Sequence, residues 1–214
     1  MKLEVAKILS EAFIEYPLIL HAFEGLSDAD RLVKLNALYG SCASACEKFG
    51  GVILDDKKQG ALIWLDGKNF PLGLMKEIQT DMIILPFKLG IKSTLRLINH
   101  DSEIEGWIRK NTSRNIGYIW CLGVDKDLRG KGMARQLIMK SIDQMKEKGI
   151  TEFWLKTEDS KNVLIYQKIG FKVMQHKIVK SSGIGSWAMK YETKTKQLFH
   201  KILDNDLNGQ HLET

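Results

Sequence analysis

A short glycine-rich segment between a predicted strand and a predicted helix is the part of this chain best suited to bind an anion. It reads Arg129-Gly130-Lys131-Gly132-Met133-Ala134. The first amide groups of a helix have no partners within the helix, and the helix dipole adds positive potential there. Glycines leave no Cβ between these amides and a ligand. The segment is therefore predicted to cradle a phosphate group, with Arg129 or Lys131 adding charge.

This segment differs from two other phosphate-binding loops. A P-loop ends in Gly-Lys-Ser/Thr, which is absent, and the dinucleotide fingerprint needs a third glycine where this chain has Arg135. A plain strand-to-helix turn with incidental glycines is the structural alternative for so short a motif.

A second motif follows a predicted strand at 150–157. It runs from Asn162 through Tyr166 to Gly170-Phe171 and predicts a short helix closed by a glycine and an aromatic residue. Together the two motifs resemble the GNAT superfamily of acyl-CoA N-acyltransferases. The first matches the family pattern Arg/Gln-x-x-Gly-x-Gly/Ala and the second matches Asn-x-x-x-Tyr-x-x-x-Gly-Phe. The resemblance covers residues 116–191, with weaker agreement over 51–65.

The resemblance implies a fold and a co-substrate. The implied fold is α/β (α+β), with a central mixed, mostly antiparallel twisted sheet that is flanked by helices and splayed at the central strand. The implied co-substrate is acetyl-CoA, with its pyrophosphate on the 129–134 amides and its pantetheine arm along the central strand edge. The expected cofactor-binding residues are Leu122, Gly123, Val124, Arg129, Gly130, Lys131, Gly132, Met133, Ala134 and Asn162. No metal is expected.

The implied reaction transfers an acetyl group directly to a primary amine. Tyr166 matches the family's usual catalytic proton donor by position, and a phenol with an ordinary pKa near ~10 keeps its proton at neutral pH. A backbone N–H of the central strand is the expected oxyanion donor. The alternative for Tyr166 is a helix residue that packs its ring inward and serves no catalytic purpose.

The sequence does not identify the general base. The candidate side chains are Glu158, Glu103, Glu105, His100 and Asp101. Water can serve instead when the pKa of the amine is low. A covalent route through Cys121 is disfavoured, because no histidine is adjacent in sequence and a buried cysteine is usually a small hydrophobic residue.

Hydrophobic periodicity and turn signals predict the elements that must position these residues. Helices are predicted from Lys2 to before Pro17, from Ser27-Asp28 to about Lys48, near 72–80 and 87–99, from 133 to about 148, and at 161–168. Strands are predicted at 52–54, 61–65, 116–124, 150–158, 171–179 and 184–191. Gly123 within the central strand indicates a bulge or a close backbone approach. The family usually begins with a strand, whereas this chain enters a helix almost at once.

Residues 70–109 are expected to help shape the acceptor pocket. The apolar residues that could line it, or simply pack, are Met82, Ile83, Ile84, Leu85 and Phe87. We expect one domain over 1–195, with an acceptor-side half (1–110) and an acyl-CoA-binding half (116–191). A polar C-terminal tail (196–214) follows, with a weak helical pattern at Leu198, Phe199, Ile202 and Leu203.

The composition fits a soluble globular protein. The chain has 214 residues, of which 44% are hydrophobic and 27% charged, and it shows neither a membrane-spanning apolar run nor a signal-peptide core. The three cysteines, Cys42, Cys46 and Cys121, form no metal-like set and fit a reducing compartment. A cytoplasmic location is expected, without membrane association.

The net charge of +6 is concentrated near the C-terminus, where residues 161–201 hold nine lysines and one acidic residue. Nucleic acid binding is one interpretation, but no aromatic residues interleave with the lysines, so a solvated face near an anionic cofactor is favoured. The expected partner is a small-molecule or peptidyl amine, and the apolar residues of 70–99 could contribute to a homodimer interface. A non-catalytic acyl-CoA-binding regulatory module is the alternative function.

Overall fold

The computed structural model describes residues 1–192. The α-helices of this part of the chain are α1 (Lys2–Phe13), α2 (Pro17–Ala22), α3 (Asp28–Phe49), α4 (Leu74–Ile78), α5 (Leu85–Leu89), α6 (Ile91–Lys110), α7 (Met133–Glu147) and α8 (Ser160–Ile169). The strands are β1 (Gly50–Leu54), β2 (Gly60–Asp66), β3 (Ile116–Val124), β4 (Glu152–Thr157), β5 (Phe171–Ile178) and β6 (Gly185–Tyr191). Short 3₁₀ turns lie at Asp81–Ile84 and Lys126–Leu128.

The strands form one sheet in the order β1-β2-β3-β4-β6-β5. Each neighbouring pair is antiparallel except β3 and β4, which run parallel. The predicted fold class is confirmed: a mixed, mostly antiparallel sheet flanked by helices. The predicted bounds of the central strand β3 agree with the structure at both ends, because its run of aromatic and β-branched residues stops at the charged turn that follows Val124.

The parallel pair separates part-way along β3. This strand pairs with β4 only over Ile116–Ile119 and then continues to Val124 without β4. On its other side, the residues before and after Trp120 pair with consecutive residues of β2, so Trp120 is the extra residue of a bulge. A bulge bends its strand and increases the local twist. The bulge lies where β3 and β4 part, and the predicted splay at the central strand is confirmed.

Helices cover both faces of the sheet, and alternate residues of each strand divide between them. Ile63 and Leu65 of β2 belong to the core that also contains α1, α3 and α6. Leu62 and Trp64 belong to the core against α7 and α8. All four are almost fully buried, as expected for a central strand with both faces covered.

The N-terminal helices begin and end at the predicted signals. Ser27 Oγ accepts a hydrogen bond from the Asp30 N–H at 3.1 Å and caps the start of α3. The helix that begins at Lys2 ends at Phe13, and Pro17 opens the separate helix α2, where its missing N–H leaves no helical bond unmade. Within residues 1–192, no strand precedes α1.

The segment from 70 to 110 is more helical than predicted. The first predicted helix, near 72–80, corresponds to α4. The second, near 87–99, was wrong at both ends, because Gly90 (φ +92°) separates α5 from α6 and α6 continues to Lys110. The extra turns place the acidic cluster of residues 100–105 on a helix packed against the sheet.

None of the helices within residues 1–192 is long and apolar enough to cross a membrane. The predicted tail at 196–214, with its weak helical pattern at Leu198, Phe199, Ile202 and Leu203, lies outside the described residues.

Candidate active site

The glycine-rich segment forms a tight left-handed turn at the start of α7. Gly130 and Gly132 have φ angles of +79° and +85°, a region that side chains rarely adopt. A Cβ built on either glycine would meet no atom within 4 Å, so the space in front of the turn is open. The Gln136 N–H donates to the Gly132 carbonyl at 3.1 Å, and the amides before it have no acceptor within the helix. This geometry suits an anion at the helix start.

Positive side chains surround the turn. Arg129, Lys131 and Arg135 are exposed, and none forms a salt bridge with another residue of the described chain. Met133 and Ala134, the first two residues of α7, are half-buried. The Arg129 and Lys131 N–H groups donate to the Lys126 and Leu128 carbonyls at 3.3 Å. The turn therefore presents uncommitted side-chain charge beside the first amides of α7, which is the combination that binds phosphates.

The last residues of β3, Leu122 to Val124, lie beyond the bulge. A Cβ on Gly123 would be 2.9 Å from Ala12 Cβ and 3.0 Å from Leu9 Cδ2, so this glycine lets α1 pack directly on the strand. The close approach predicted at Gly123 is confirmed, and the bulge lies three residues earlier. Val124 lines a cavity of about 650 Å³ between α1 and the β1–β2 turn.

A cavity of about 470 Å³ lies at the gap between β3 and β4. Leu122 lines it from β3, and Asn162 and Tyr166 line it from α8. Its other walls come from α1 to α3 and from residues 71–106. The structure thus brings these three predicted site residues around one space, whereas the glycine turn, Gly123 and Val124 lie outside its lining.

The apolar residues predicted as pocket-lining candidates divide into two groups. Met82, Ile83 and Leu85 line the cavity. Ile84 and Phe87 do not line it; Phe87 is 89% exposed. The break at Gly90 and the 3₁₀ turn set which side chains face inward, and hydrophobic periodicity alone did not show this.

Tyr166 is half-buried on the wall of the cavity. Its ring packs edge-on against Phe171 with the ring centroids 5.9 Å apart, which fixes its position. Burial raises the pKa of the Tyr166 phenol, so the group keeps its proton across the neutral range. The phenol is therefore in the protonated form that a proton donor needs.

Glu158 is a buried carboxylate with four side-chain donors. Tyr16 Oη lies 3.0 Å away, Lys156 Nζ 3.0 Å, His100 Nε2 3.3 Å and Ser186 Oγ 2.9 Å. Burial alone would raise its pKa, but the Lys156 charge and the His100 contact outweigh burial and lower the pKa of Glu158 to about 2. A carboxylate bound this tightly is a poor proton acceptor.

Lys156 links this network to the cavity. Its Nζ donates to Asp101 Oδ1 at 2.7 Å as well as to Glu158. Burial disfavours the charged amine, but the negative charges of Asp101 and Glu158 raise the pKa of Lys156 overall. The sequence analysis did not single out Lys156. Lys156 and Glu158 are two residues apart at the end of an apolar strand, so their side chains share one face, and this spacing could have predicted the ion pair.

Glu105 has a different environment from Glu158. Its Oε1 accepts from Tyr118 Oη at 3.1 Å, and within residues 1–192 its other carboxyl oxygen has no hydrogen-bond partner. Burial, followed by the negative charge of Asp101, raises the pKa of Glu105 to about 8. Glu105 lines the cavity.

Of the remaining candidates for the base, Asp101 lines the cavity and is bound to Lys156, whereas Glu103 and His100 do not line it. Glu103 pairs with Lys177 at 2.9 Å, and this hydrogen bond lowers the pKa of Glu103. His100 is fully buried and bonds to Ser182 Oγ at 2.7 Å. Cys121 does line the cavity, but burial raises the pKa of its thiol and suppresses the thiolate that a covalent route needs.

His100, Asp101 and Glu158 have ligand atoms within 4.8 Å of one another. Lys156 donates to both carboxylates of this group and already supplies their positive charge. We therefore describe the group as an ion-pair network.

Residues 89–193 match the family model described as an acetyltransferase (GNAT) domain. The chain carries a GNAT acetyltransferase domain. The predicted family is confirmed, and the matched part holds β3, the glycine turn and α8. It also includes α6, with Asp101 and Glu105.

Two curated proteins are similar to parts of the chain. An uncharacterised N-acetyltransferase of Methanocaldococcus jannaschii is 34% identical over 68 residues, which are 31% of this chain and 30% of that protein. N-alpha-acetyltransferase 30 of Schizosaccharomyces pombe is 39% identical over 57 residues, which are 26% of this chain and 38% of that protein. The matches therefore span about a third of the length of these relatives.

Among solved structures, the C-terminal condensation domain of Ebony in complex with beta-alanyl-dopamine superimposes with a TM-score of 0.60. The match covers 90% of this chain and 94% of that one at 16% identity. This likeness concerns the fold. It extends the fold assignment to the N-terminal helices, which the family model does not reach.

Proposed function

We propose that this protein is an acetyl-CoA-dependent N-acetyltransferase that transfers the acetyl group directly to a primary amine. One observation carries the proposal: β3 continues to Val124 beyond its pairing with β4, the open glycine turn follows it along the chain, and Tyr166 lines the cavity at the β3–β4 gap. The GNAT domain match supports it. We propose in addition that the amine belongs to a small molecule or to a peptide.

The residues around the gap fit an acyl-CoA. The segment from Arg129 to Ala134 would hold the pyrophosphate, chiefly through the amides other than those of Arg129 and Lys131, which donate to backbone carbonyls. The space at Gly130 and Gly132 is open, with no atom within 4 Å of a Cβ. The free edge of β3 at Leu122–Val124 would pair with the amides of the pantetheine arm. Asn162 would contact the cofactor from α8. When bound, acetyl-CoA supplies an activated thioester carbonyl.

Three groups of the chain would act on the acetyl transfer. A backbone N–H beyond the bulge in β3 would stabilise the oxyanion, because β4 no longer uses that edge. Tyr166 would donate its proton to the thiolate as the carbon–sulfur bond breaks. The cavity walls would exclude water, which competes with the amine for the thioester.

Calorimetric titration with acetyl-CoA and with desulfo-CoA tests the cradle. We expect micromolar-range binding to the wild type and loss of binding in Gly132→Glu, whose side chain enters the open space. Gly149→Glu is the matched control, because Gly149 follows α7 at its other end with a similar φ of +76° and no atom within 4 Å of a Cβ. Absence of binding to the wild type would refute the proposal.

The alternative is a module that binds acyl-CoA without turnover. Tyr166 argues against it, since a binding module needs no buried phenol at this position. Tyr166→Phe keeps the ring packing on Phe171 and removes only the proton donor. We expect turnover of an accepted amine to fall by about 10²–10⁴-fold with unchanged desulfo-CoA affinity. Equal turnover by the variant would contradict the role of Tyr166.

We also propose that residues 1–195 form one domain, with residues 1–110 on the acceptor side and 116–191 on the acyl-CoA side. The position of the cavity between these two parts supports this division.

A further inference from the structure

The cavity beyond the β3–β4 gap combines a mostly apolar wall with a few acidic side chains. Its volume of about 470 Å³ is typical of small-molecule sites. Most of the surrounding side chains are aliphatic or aromatic, from Phe13 on α1 to Leu97 on α6. The wall therefore offers little hydrogen bonding to a sugar or a peptide backbone, and it favours an apolar ligand body.

The charges in this wall are mostly negative. Glu77, Asp101, Glu105 and Glu158 line the cavity together with one basic residue, Lys156. Lys156 is already bound to Asp101 and Glu158. Within residues 1–192, Glu105 is hydrogen-bonded only to the neutral Tyr118 hydroxyl. Once ionised, above its pKa of about 8, Glu105 therefore has an oxygen left to accept from a cationic ligand.

The exposed residues that line the cavity are mostly apolar: Pro71, Ile83 and Ile98, with Ser102 as the polar one. Ile83 and Ile98 line the cavity and are 40% and 55% exposed, so they lie where the cavity meets solvent. Exposed isoleucines at the entrance offer no hydrogen bonds to replace the bound water of a polyamine or an amino sugar, so they disfavour binding of these ligands. An apolar amine gains from the same surface.

We propose that the acceptor is a small primary amine with a single cationic group and an apolar body, held with its ammonium against Glu105 and Asp101 and its body among the aliphatic side chains. This rests on the acetyltransferase function proposed above. The body fills the part of the cavity formed by α2, α3, α5 and α6. The nitrogen lies towards the gap where the acetyl group would arrive.

Glu105 then has a defined part in the reaction. Above the Glu105 pKa of about 8, where this side chain is ionised, the ammonium gives one proton to the Glu105 carboxylate. The free lone pair then adds to the thioester carbonyl, and the resulting oxyanion collapses as the carbon–sulfur bond breaks. Tyr166 protonates the departing thiolate. The nitrogen loses its second proton as the amide forms, and that proton restores Tyr166 through solvent. Amine and thioester become amide and thiol, and Glu105 releases one proton to water.

The test uses the full chain and separates the two proposals by measuring binding in two steps. Desulfo-CoA is titrated first. 2-Phenylethylamine and hexylamine are then titrated into the desulfo-CoA complex, with 2-phenylethanol as the uncharged analogue and spermidine, glucosamine and a Met-Leu-initiated peptide as competitors. Turnover with acetyl-CoA is measured for the same amines. Failure of desulfo-CoA to bind would refute the function, whereas failure of the amines alone would refute only this inference.

We expect the two apolar amines to bind and turn over at least about 10-fold better than spermidine or glucosamine. At pH 9, where Glu105 is ionised, Glu105→Gln should weaken 2-phenylethylamine binding by about 10-fold or more and leave 2-phenylethanol binding unchanged, because hydrogen bonds to charged groups are the stronger ones. Glu103→Gln, on the same helix but bound to Lys177, should change neither. Unchanged desulfo-CoA affinity shows that each variant is folded.

A second pair of variants tests the apolar body without touching the buried charges. Ile98→Gln at the mouth should weaken hexylamine several-fold, and Phe87→Gln, 89% exposed and outside the lining, should not. Preference for spermidine, for glucosamine or for the peptide would overturn the inference. Equal effects of Glu105→Gln on 2-phenylethylamine and on 2-phenylethanol would overturn the role of Glu105.

Discussion

Replacing Glu105 by glutamine should make the protein more stable in alkaline solution. The glutamine keeps the carbonyl oxygen that accepts from Tyr118, so the local packing is preserved. It removes a carboxyl group that titrates among Asp101, Lys156 and Glu158. The variant therefore isolates the electrostatic effect of one half-buried acid.

The expected size follows from the pKa. An unfolded glutamate titrates near 4.5, and burial followed by the Asp101 charge raises the pKa of folded Glu105 to about 8. Between these two values the folded state binds more protons than the unfolded state, so stability falls as the pH rises through this window. At about 1.4 kcal/mol per pH unit, the loss reaches at most about 5 kcal/mol above pH 8.

Urea unfolding at pH 5, 7 and 9 measures this effect as the difference between Glu105→Gln and the wild type. We expect the difference to be small at pH 5 and to grow to several kcal/mol in favour of the variant at pH 9. Glu103→Gln is the control, since the Lys177 hydrogen bond lowers the pKa of Glu103 and no such gain should appear. A difference that stays constant from pH 5 to 9 would refute the reasoning.

Two further predictions concern packing and the buried ion pair. Gly123→Val should destabilise the protein by about 1–3 kcal/mol, because its Cβ would lie 2.9 Å from Ala12 Cβ. A Cβ at Gly106 would meet no atom within 4 Å, so Gly106→Ala should stabilise helix α6 by up to about 1 kcal/mol. Urea unfolding in which Gly123→Val is more stable than Gly106→Ala would contradict this reasoning. Glu158→Gln should cost about 3–5 kcal/mol at pH 7 by leaving Lys156 undercompensated. Since the pKa of Glu158 is lowered to about 2, this cost should shrink as the pH falls from 4.5 towards 2, which acid titration by circular dichroism can follow.

Local sequence signals were enough to predict the elements of the acyl-CoA-binding half of the site. Gly130 and Gly132 predicted the turn because few other residues adopt their positive φ angles. Gly170 predicted the end of α8 for the same reason, with φ +122°. Ser27 predicted the start of α3 through a capping bond that spans only three residues. Signals of this kind act over one turn of chain, so a sequence shows them directly.

The acceptor side could not be read in the same way. Nothing in the sequence distinguishes Glu105 from Glu103, two residues apart on α6, yet the first lines the cavity and the second pairs with Lys177. Their roles depend on which face of α6 meets β3 and which meets the β5–β6 hairpin. This depends on long-range packing, and helix periodicity does not predict which neighbour each face of α6 contacts.

Local signals in the sequence were enough to predict the family, the central strand, the glycine turn and the helix that carries Tyr166. Long-range packing sets three other features: β4 leaves β3 after Ile119, Lys156 binds Asp101 and Glu158, and within residues 1–192 one oxygen of Glu105 has no hydrogen-bond partner. The reason is physical: turns and caps are set by neighbours in the chain. The pKa of a carboxyl group is set by burial and by charges that folding brings together from distant segments.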